Sequence, residues 1–247
     1  MAKKSGLGQN FYFAGYDLSG DVGAITNASS TRTTLDVTGI DKSAMERVMG
    51  HGDASMEFMA FFNDATGQEH LALRGLATTD LPVTWALGTT IGDAAASFVG
   101  KLTNYPLTRN ADGSLVANPT MVANDGVPME WGVMLTGGVE TDTGAANGSS
   151  HDNGAATSNG LVAYLHVFTF TGTAVVVKIQ SSSDDGSGDA FADIVTFTSV
   201  DAANKFERKE LSGAVERYLR VVTTGTFNPA TFAVMVRRGT AQDDTAY

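Results

Sequence analysis

The chain has 247 residues, of which 17% are charged, with no cysteine and a formal net charge of −11. The lack of cysteine excludes disulfides and thiolate metal sites, and the acidic balance argues against sequence-independent DNA binding, which needs Lys and Arg to displace counterions. A hydrophobic fraction of 43% beside 28 glycines is typical of a globular, β-rich protein, and the sequence has neither a signal-peptide pattern nor an apolar run that would span a bilayer as a helix.

The first predicted element is a strand over residues 10–16, followed by a turn and a second short strand. Residues 26–33 are polar and show no hydrophobic period, so they predict a loop. After a strand end at residues 35–38, Ser43 and Glu46 have the spacing of a capping box, which predicts a short helical turn.

A longer strand is predicted over residues 54–62, because apolar residues alternate there with mixed ones. Met56 and Phe58 would point to one face of a sheet, and Ser55 and Glu57 to the other. This stretch therefore predicts a sheet with one apolar face and one mixed face.

The strongest helix signal lies at residues 66–77, where Thr66 and Glu69 again have capping-box spacing. Further strands are predicted over residues 81–87, 94–104, 114–124 and 127–135. Together these elements predict a mixed sheet flanked by one helix.

The order of these elements resembles the tail tube, or major tail, proteins of long-tailed, siphovirus-type bacteriophages. In that family a strand leads into a long loop, and a short glycine-containing motif then opens a core strand that ends in an aromatic pair. The matching residues here are Gly50, Asp53, Phe61, Phe62, Asn63 and Asp64. The resemblance extends to about residue 132, which is roughly the first half of the chain.

The second half of the chain differs from the first in composition. Residues 139–160 are rich in Gly, Ser, Asn, Thr and Ala, and predict a flexible linker or a long connection laid over a partner surface. Residues 161–247 contain six strand patterns separated by turn signals, which predict a β-sandwich that is jelly-roll-like. The resemblance to tail tube proteins implies that this domain lies on the outside of the tube and offers an immunoglobulin-like fold as the other form. The predicted fold class is mainly β with one or two short helices, and residues 1–138 form the predicted tail tube domain.

The sequence shows no constellation of catalytic residues. The four histidines are scattered without metal-ligand spacing. Four carboxylates at Asp184, Asp185, Asp189 and Asp193 offer a possible Ca²⁺ loop, but their spacing is not that of an EF-hand and favours an ordinary turn. We therefore expect no catalytic, metal or cofactor site and no enzymatic activity.

The resemblance implies a structural virion protein whose subunits form hexameric rings, with the rings stacked into a tube around a DNA channel. It further implies tail terminator, tape measure and distal tail proteins as partners, DNA that passes without specific binding, no membrane partner, and a place in the phage tail after synthesis in the host cytoplasm. The alternative is a capsid decoration protein, or a receptor- or glycan-binding virion protein whose second domain carries the ligand site.

Two sets of residues are predicted to act in assembly. Polar side chains of the mixed strand faces are expected to line the channel: Ser55, Glu57, Ser97, Thr103, Asn118 and Thr120. Apolar residues within the polar excursion at 26–53 are expected to contact the next ring or a neighbouring subunit: Leu35, Ile40, Met45, Val48 and Met49. In the competing interpretation, the core of the same subunit buries this second set.

Overall fold

A computed structural model describes residues 5–124, 126 and 128–240 of the chain. The predicted mainly β class is confirmed, with 57% strand and 2% helix in one large sheet. The predicted strand at 127–135 is seen from residue 130, and its first residue lies outside the described part. All pairings between the named strands are antiparallel, so the mixed sheet expected for the first half is wrong.

The first unit, residues 5–138, contains ten strands and one short helix. Its elements are β1 Asn10–Phe13, β2 Tyr16–Asp17, β3 Val22–Asp36, β4 Arg47–Phe61, α1 Glu69–Leu73, β5 Leu81–Ala86, β6 Ala94–Asn104, β7 Leu107–Arg109, β8 Leu115–Ala117, β9 Thr120–Ala123 and β10 Glu130–Met134. The strand β6 is central, because it pairs with β5 on one side and with both β9 and β10 on the other.

The loop and helical turn expected between residues 26 and 50 are wrong. These residues belong instead to a long hairpin in which β3 pairs with β4 from Val22 to Asp36. The β-branched residues of β3 suit an extended backbone, and pairing with β4 supplies the hydrogen bonds that a loop would lack. Gly50 lies within β4 at a bulge, where a Cβ would collide with the Thr33 hydroxyl.

The predicted helix at 66–77 is reduced to α1, and its capping box does not form. The N-cap Gln68 has no side-chain cap; Asp21 instead accepts the Glu69 backbone N–H at 3.0 Å. Leu76, with a φ of 41°, ends any continuation of the helix. The predicted strand at 114–124 is likewise split into β8 and β9, because Pro119 cannot donate a ladder hydrogen bond.

The second unit, residues 139–240, is organised around one very long hairpin. Its strands are β11 Glu140–Asp142, β12 Ala146–Asn147, β13 His151–Asp152, β14 Leu161–Ser182, β15 Ala192–Thr196, β16 Lys205–Leu211 and β17 Tyr218–Arg238. The strand patterns predicted separately at 161–170 and 173–181 are one strand, β14, with register shifts around Gly172. Side chains from both halves of β14 lie in one apolar cluster, so the hairpin folds over onto itself as a sandwich.

The predicted linker at 139–160 is not a free tether. Three short strands within it, β11, β12 and β13, pair in turn with β17. Backbone pairing, which needs no apolar side chains, therefore holds this polar segment along the edge of the second sheet.

The two units share part of their core. One apolar cluster lies within the first unit around Phe58, and another lies mainly within the second around Ile179. A third cluster joins Tyr12 and Met134 of the first unit to Tyr164 and Met235 of the second. The division into domains 1–138 and 161–247 stays a prediction, and this third cluster couples the two parts.

Candidate assembly surfaces

The arm, residues 26–53, is the distal part of the β3–β4 hairpin. Leu35 pairs with Val48 and Asp36 with Arg47, so the two strands stay in register towards the tip. Asp36 accepts hydrogen bonds from the Thr38 hydroxyl at 2.6 Å and the Thr38 backbone N–H at 2.9 Å. These two hydrogen bonds lower the pKa of the Asp36 carboxyl, and the bond from the Thr38 hydroxyl has the larger effect. The tip therefore has a defined turn although it is surrounded by solvent.

All five residues predicted to contact another ring lie on this arm and are solvent-exposed. Their side chains are between 51% exposed, at Val48, and 109% exposed, at Ile40. The interpretation in which the core of the same subunit buries them is contradicted by this exposure. Val37, which the prediction omitted, is also 51% exposed on the arm. Contact between these residues and another subunit stays a prediction.

The arm has an open strand edge and exposed apolar side chains. The strand β3 pairs only with β4 among the described strand ladders, so its outer edge has unpaired backbone groups. A two-stranded hairpin without a sheet or helix to cover it is marginally stable in water. Exposed apolar side chains on such an edge point to association with another protein surface.

Four of the six residues predicted to line a channel, Ser55, Glu57, Thr103 and Thr120, lie together on one face of the sheet. Ser55 pairs with Val122 and Glu57 with Thr120, which places all four side chains on the same face of β4 and β9. Thr103 extends this surface, because its hydroxyl donates to the Thr120 carbonyl at 3.0 Å. The opposite face holds the buried side chains Met56, Phe58, Phe98 and Met121 together with Leu73 of α1.

Ser97 does not belong to that exposed surface, and its predicted channel position is wrong. It lies on β6 on the same face as Lys101, but its side chain is fully buried. Its hydroxyl lies 2.8 Å from that of Thr84. The second unit covers this end of the face, whereas the end that carries Thr103 is open. Asn118 is exposed as expected, but it lies between β8 and β9 and not on a strand.

A buried polar junction connects the two units, and its residues were not among the predicted sites. His166 of β14 places Nε2 3.0 Å from the Thr84 hydroxyl, and its Nδ1 accepts the Gly15 backbone N–H at 3.3 Å. Burial lowers the pKa of His166 to about 3, so the ring is neutral. A detectable signal was the unbroken apolar run around this histidine, which is typical of a strand buried on both faces.

A second junction is ionic. Arg208 of β16 makes two hydrogen bonds of 3.1 Å to the carboxylate of Glu130 on β10, which is 3% exposed. Arg237 lies 3.5 Å from the same carboxylate, and the Tyr164 hydroxyl donates to it. Burial, followed by the charge of Glu130, raises the pKa of Tyr164. Glu130 of the first unit and Arg208 of the second therefore form a buried ionic contact between the two units.

Asp184, the first carboxylate of the possible calcium loop, accepts hydrogen bonds from the backbone of the same turn. The carboxylate of Asp184 accepts backbone N–H groups of Ser187 at 3.0 Å and Gly188 at 2.6 Å, and it also accepts that of Asp189. These bonds build the turn that the spacing favours. In the described part of the chain, no group of three or more acidic or histidine side chains is placed to hold a metal ion. No helix among the same residues has the length and apolar character to cross a membrane.

Comparison with known proteins gives structural similarities only. No protein-family model matches the chain, and no curated protein matches it. A chain from the tail of an empty GTA particle with C6 symmetry matches at 16% identity and a TM-score of 0.35, covering 42% of this chain and 78% of that one. The Dit protein of phage SPP1 matches at 13% identity and a TM-score of 0.31, covering 93% and 98%.

A chain of the phage p2 baseplate in its activated conformation with Sr gives a similar result. It matches at 9% identity and a TM-score of 0.35, covering 94% of this chain and 98% of that chain. Because all three TM-scores are below 0.5, these similarities do not assign the chain to a family.

Proposed function

We propose that the chain is a structural, non-enzymatic virion protein, the subunit of a phage tail tube. Its copies form homohexameric rings that stack into a tube, and DNA passes through the channel without specific binding. The sixfold number and the partners at the tube ends (tail terminator, tape measure and distal tail proteins) rest on the sequence resemblance alone.

The observation that carries the proposal is the exposed arm. Six apolar side chains, those of Leu35, Val37, Ile40, Met45, Val48 and Met49, are at least half exposed on it. Covering the exposed half of such a side chain is worth about 1 kcal/mol, so an arm docked on a neighbour gains several kcal/mol. A subunit of a stacked assembly has a neighbour on which such an arm can dock.

The charge of the chain supports the proposal that DNA passes through the channel without binding to its wall. The net charge of −11 opposes adhesion to DNA phosphates. Glu57 and the hydroxyls of Thr103 and Thr120 provide an open polar surface with few cations, beside Lys101. The Lys101 ammonium group lies 2.9 Å from the Asp80 carboxylate, and this ion pair weakens its attraction for a DNA phosphate.

The test is to place charge on the arm. The double variant Ile40→Asp with Met45→Asp is expected to leave the subunit folded, because both side chains are exposed, but to block stacking. Sedimentation and negative-stain imaging distinguish monomers, single rings and tubes, and circular dichroism checks the fold. The matched control places the same two charges at exposed turn positions of the second unit, Ser212→Asp with Ala214→Asp, and should assemble normally. Tubes of normal length from the arm variant would refute the role of the arm, and a native chain that never assembles would refute the proposed function.

A further inference from the structure

We infer that the arm carries an oxidation site that controls assembly. Hydrogen peroxide converts Met45 and Met49 of the free subunit to methionine sulfoxide, which prevents the arm from docking on a neighbouring subunit, and reduction restores docking. Met45 is 57% exposed and Met49 is 59% exposed, and both belong to the exposed apolar set of the arm. This inference rests on the proposed function and adds to it a reversible chemical control.

The other methionines of the described chain are shielded from solvent. The half-buried Met59 packs its methyl group close to Gly23, where an added Cβ would lie 2.8 Å from it. The remaining five are at most 6% exposed and belong to the apolar core: Met56, Met121, Met129, Met134 and Met235. Because peroxide must reach the sulphur atom, we expect it to oxidise the arm first.

Arg47 is placed to stabilise the oxidised form of Met45. Its Nη2 donates a hydrogen bond to the Met45 Sδ at 2.9 Å. A thioether sulphur is a weak acceptor, whereas a sulfoxide oxygen is a strong one, and a bond from a guanidinium is charge-assisted. Oxidation therefore strengthens a contact of Met45 within its own arm, and that contact competes with docking on another subunit.

The oxidation step balances with hydrogen peroxide as the co-reactant. The thioether sulphur attacks one peroxide oxygen, the O–O bond breaks and an S–O bond forms. The proton of the attacked oxygen moves to the second oxygen, which leaves as water, and the two electrons that sulphur loses reduce the peroxide. Two methionine sulfoxide reductases, one for each sulfoxide epimer, reverse the change with a dithiol as the electron donor.

The sulfoxide changes the polarity of the docking surface. Methionine is flexible and polarisable, which suits an adaptable apolar contact, whereas its sulfoxide is polar and chiral. A neighbour that accepts the apolar side chain would remove water from the sulfoxide oxygen without giving it a hydrogen bond. From the cost of burying an unpaired polar group, we expect docking to weaken by about tenfold for each sulfoxide.

The test compares the native chain with the double variant Met45→Leu with Met49→Leu, each with and without peroxide at the lowest dose that oxidises both arm methionines. Leucine keeps the volume and apolar character of methionine but has no sulphur, so this variant should form tubes before and after treatment. The treated native chain should carry one added oxygen at each of the two positions in peptide mass mapping, keep its circular dichroism and lose its tubes in negative-stain images. Treatment with both reductases should restore the tubes.

Two further measurements check the same site. The double variant Met45→Gln with Met49→Gln places polar side chains on the arm, and it should fail to stack without any peroxide. When peroxide is added after assembly, Met45 and Met49 should be oxidised more slowly in tubes than in free subunits, because docked arms cover both sulphur atoms.

The outcomes separate this inference from the proposed function. Tubes of normal length from a native chain with both sulfoxides would overturn the inference and leave the proposed function standing. An equal loss of tubes in the treated leucine variant would do the same, because the damage would then lie elsewhere in the chain. Equal oxidation rates in tubes and free subunits would show that the two methionines lie outside the docked surface, which also overturns the inference. A native chain that never assembles would overturn the proposed function, and the inference with it.

Discussion

His166 Nε2 lies 3.0 Å from Thr84 Oγ1, and this hydrogen bond joins the central hairpin of the second unit to the sheet of the first. The same ring accepts the Gly15 backbone N–H, so both nitrogens are used only when the ring is neutral. The junction therefore depends on the protonation state of one buried side chain.

Acid should weaken the fold through this residue. The pKa of His166 is about 3 in the folded chain because of burial, against about 6.5 when unfolded. Between these values the unfolded chain binds one more proton, so stability falls by about 1.4 kcal/mol for each pH unit below 6.5. We expect the loss from pH 6.5 to pH 5, measured by urea unfolding, to be about 2 kcal/mol smaller in His166→Gln than in the native chain. Parallel pH profiles would contradict this assignment.

The buried and exposed arginine–carboxylate pairs should respond very differently to truncation. Glu130→Ala removes the buried carboxylate that accepts hydrogen bonds from Arg208 and Tyr164, and leaves Arg208 with the Tyr164 hydroxyl and the more exposed Glu210. Breaking the buried pair is expected to cost about 3 kcal/mol. Arg217 makes two hydrogen bonds of 2.6 Å to Asp152, but that pair is exposed. Asp152→Ala should therefore change urea unfolding far less, although its pair has the shorter distances. Similar losses in the two variants would show that burial does not set the cost.

The third apolar cluster, which contains residues of both units, predicts that the two units unfold together. Both tryptophans, Trp85 and Trp131, lie in the first unit, so their fluorescence reports on that part, whereas far-ultraviolet circular dichroism reports on both. Because Tyr12 and Met134 pack against Tyr164 and Met235, we expect the two signals to change at the same urea concentration. Separate transitions would show that residues 1–138 and 161–247 unfold as independent domains.

Adding cations to the open polar face should make an assembled tube retain DNA. The variant Thr103→Lys with Thr120→Lys places two cations beside Glu57, and each phosphate contact gives a salt-dependent affinity. We expect assembled variant tubes to retain short duplex DNA at 50 mM salt and to release it near 200 mM. The control carries Ser212→Lys with Ala214→Lys in the second unit. Equal DNA binding by both variants would mean that the Thr103 surface is not the channel wall.

Local alternation determined which side chains share a face. The strand at residues 94–104 was predicted with the bounds that β6 has, and Met56 and Phe58 are buried while Glu57 is exposed. These results follow from the two-residue period of a strand, which any stretch of sequence carries by itself.

Pairing between distant segments decided the rest. Residues 26–33 and 139–160 lack apolar periodicity, yet both contain strands, because β4 and β17 offer them backbone partners. Ser97 has the local pattern of an exposed position, but the second unit covers it. The sequence by itself therefore determined the faces of the strands and the mainly β class, whereas the tertiary structure decided which polar segments became strands and which polar face was buried. The physical reason is that backbone pairing and the covering of a second sheet face depend on residues far away in the chain, which no local pattern contains.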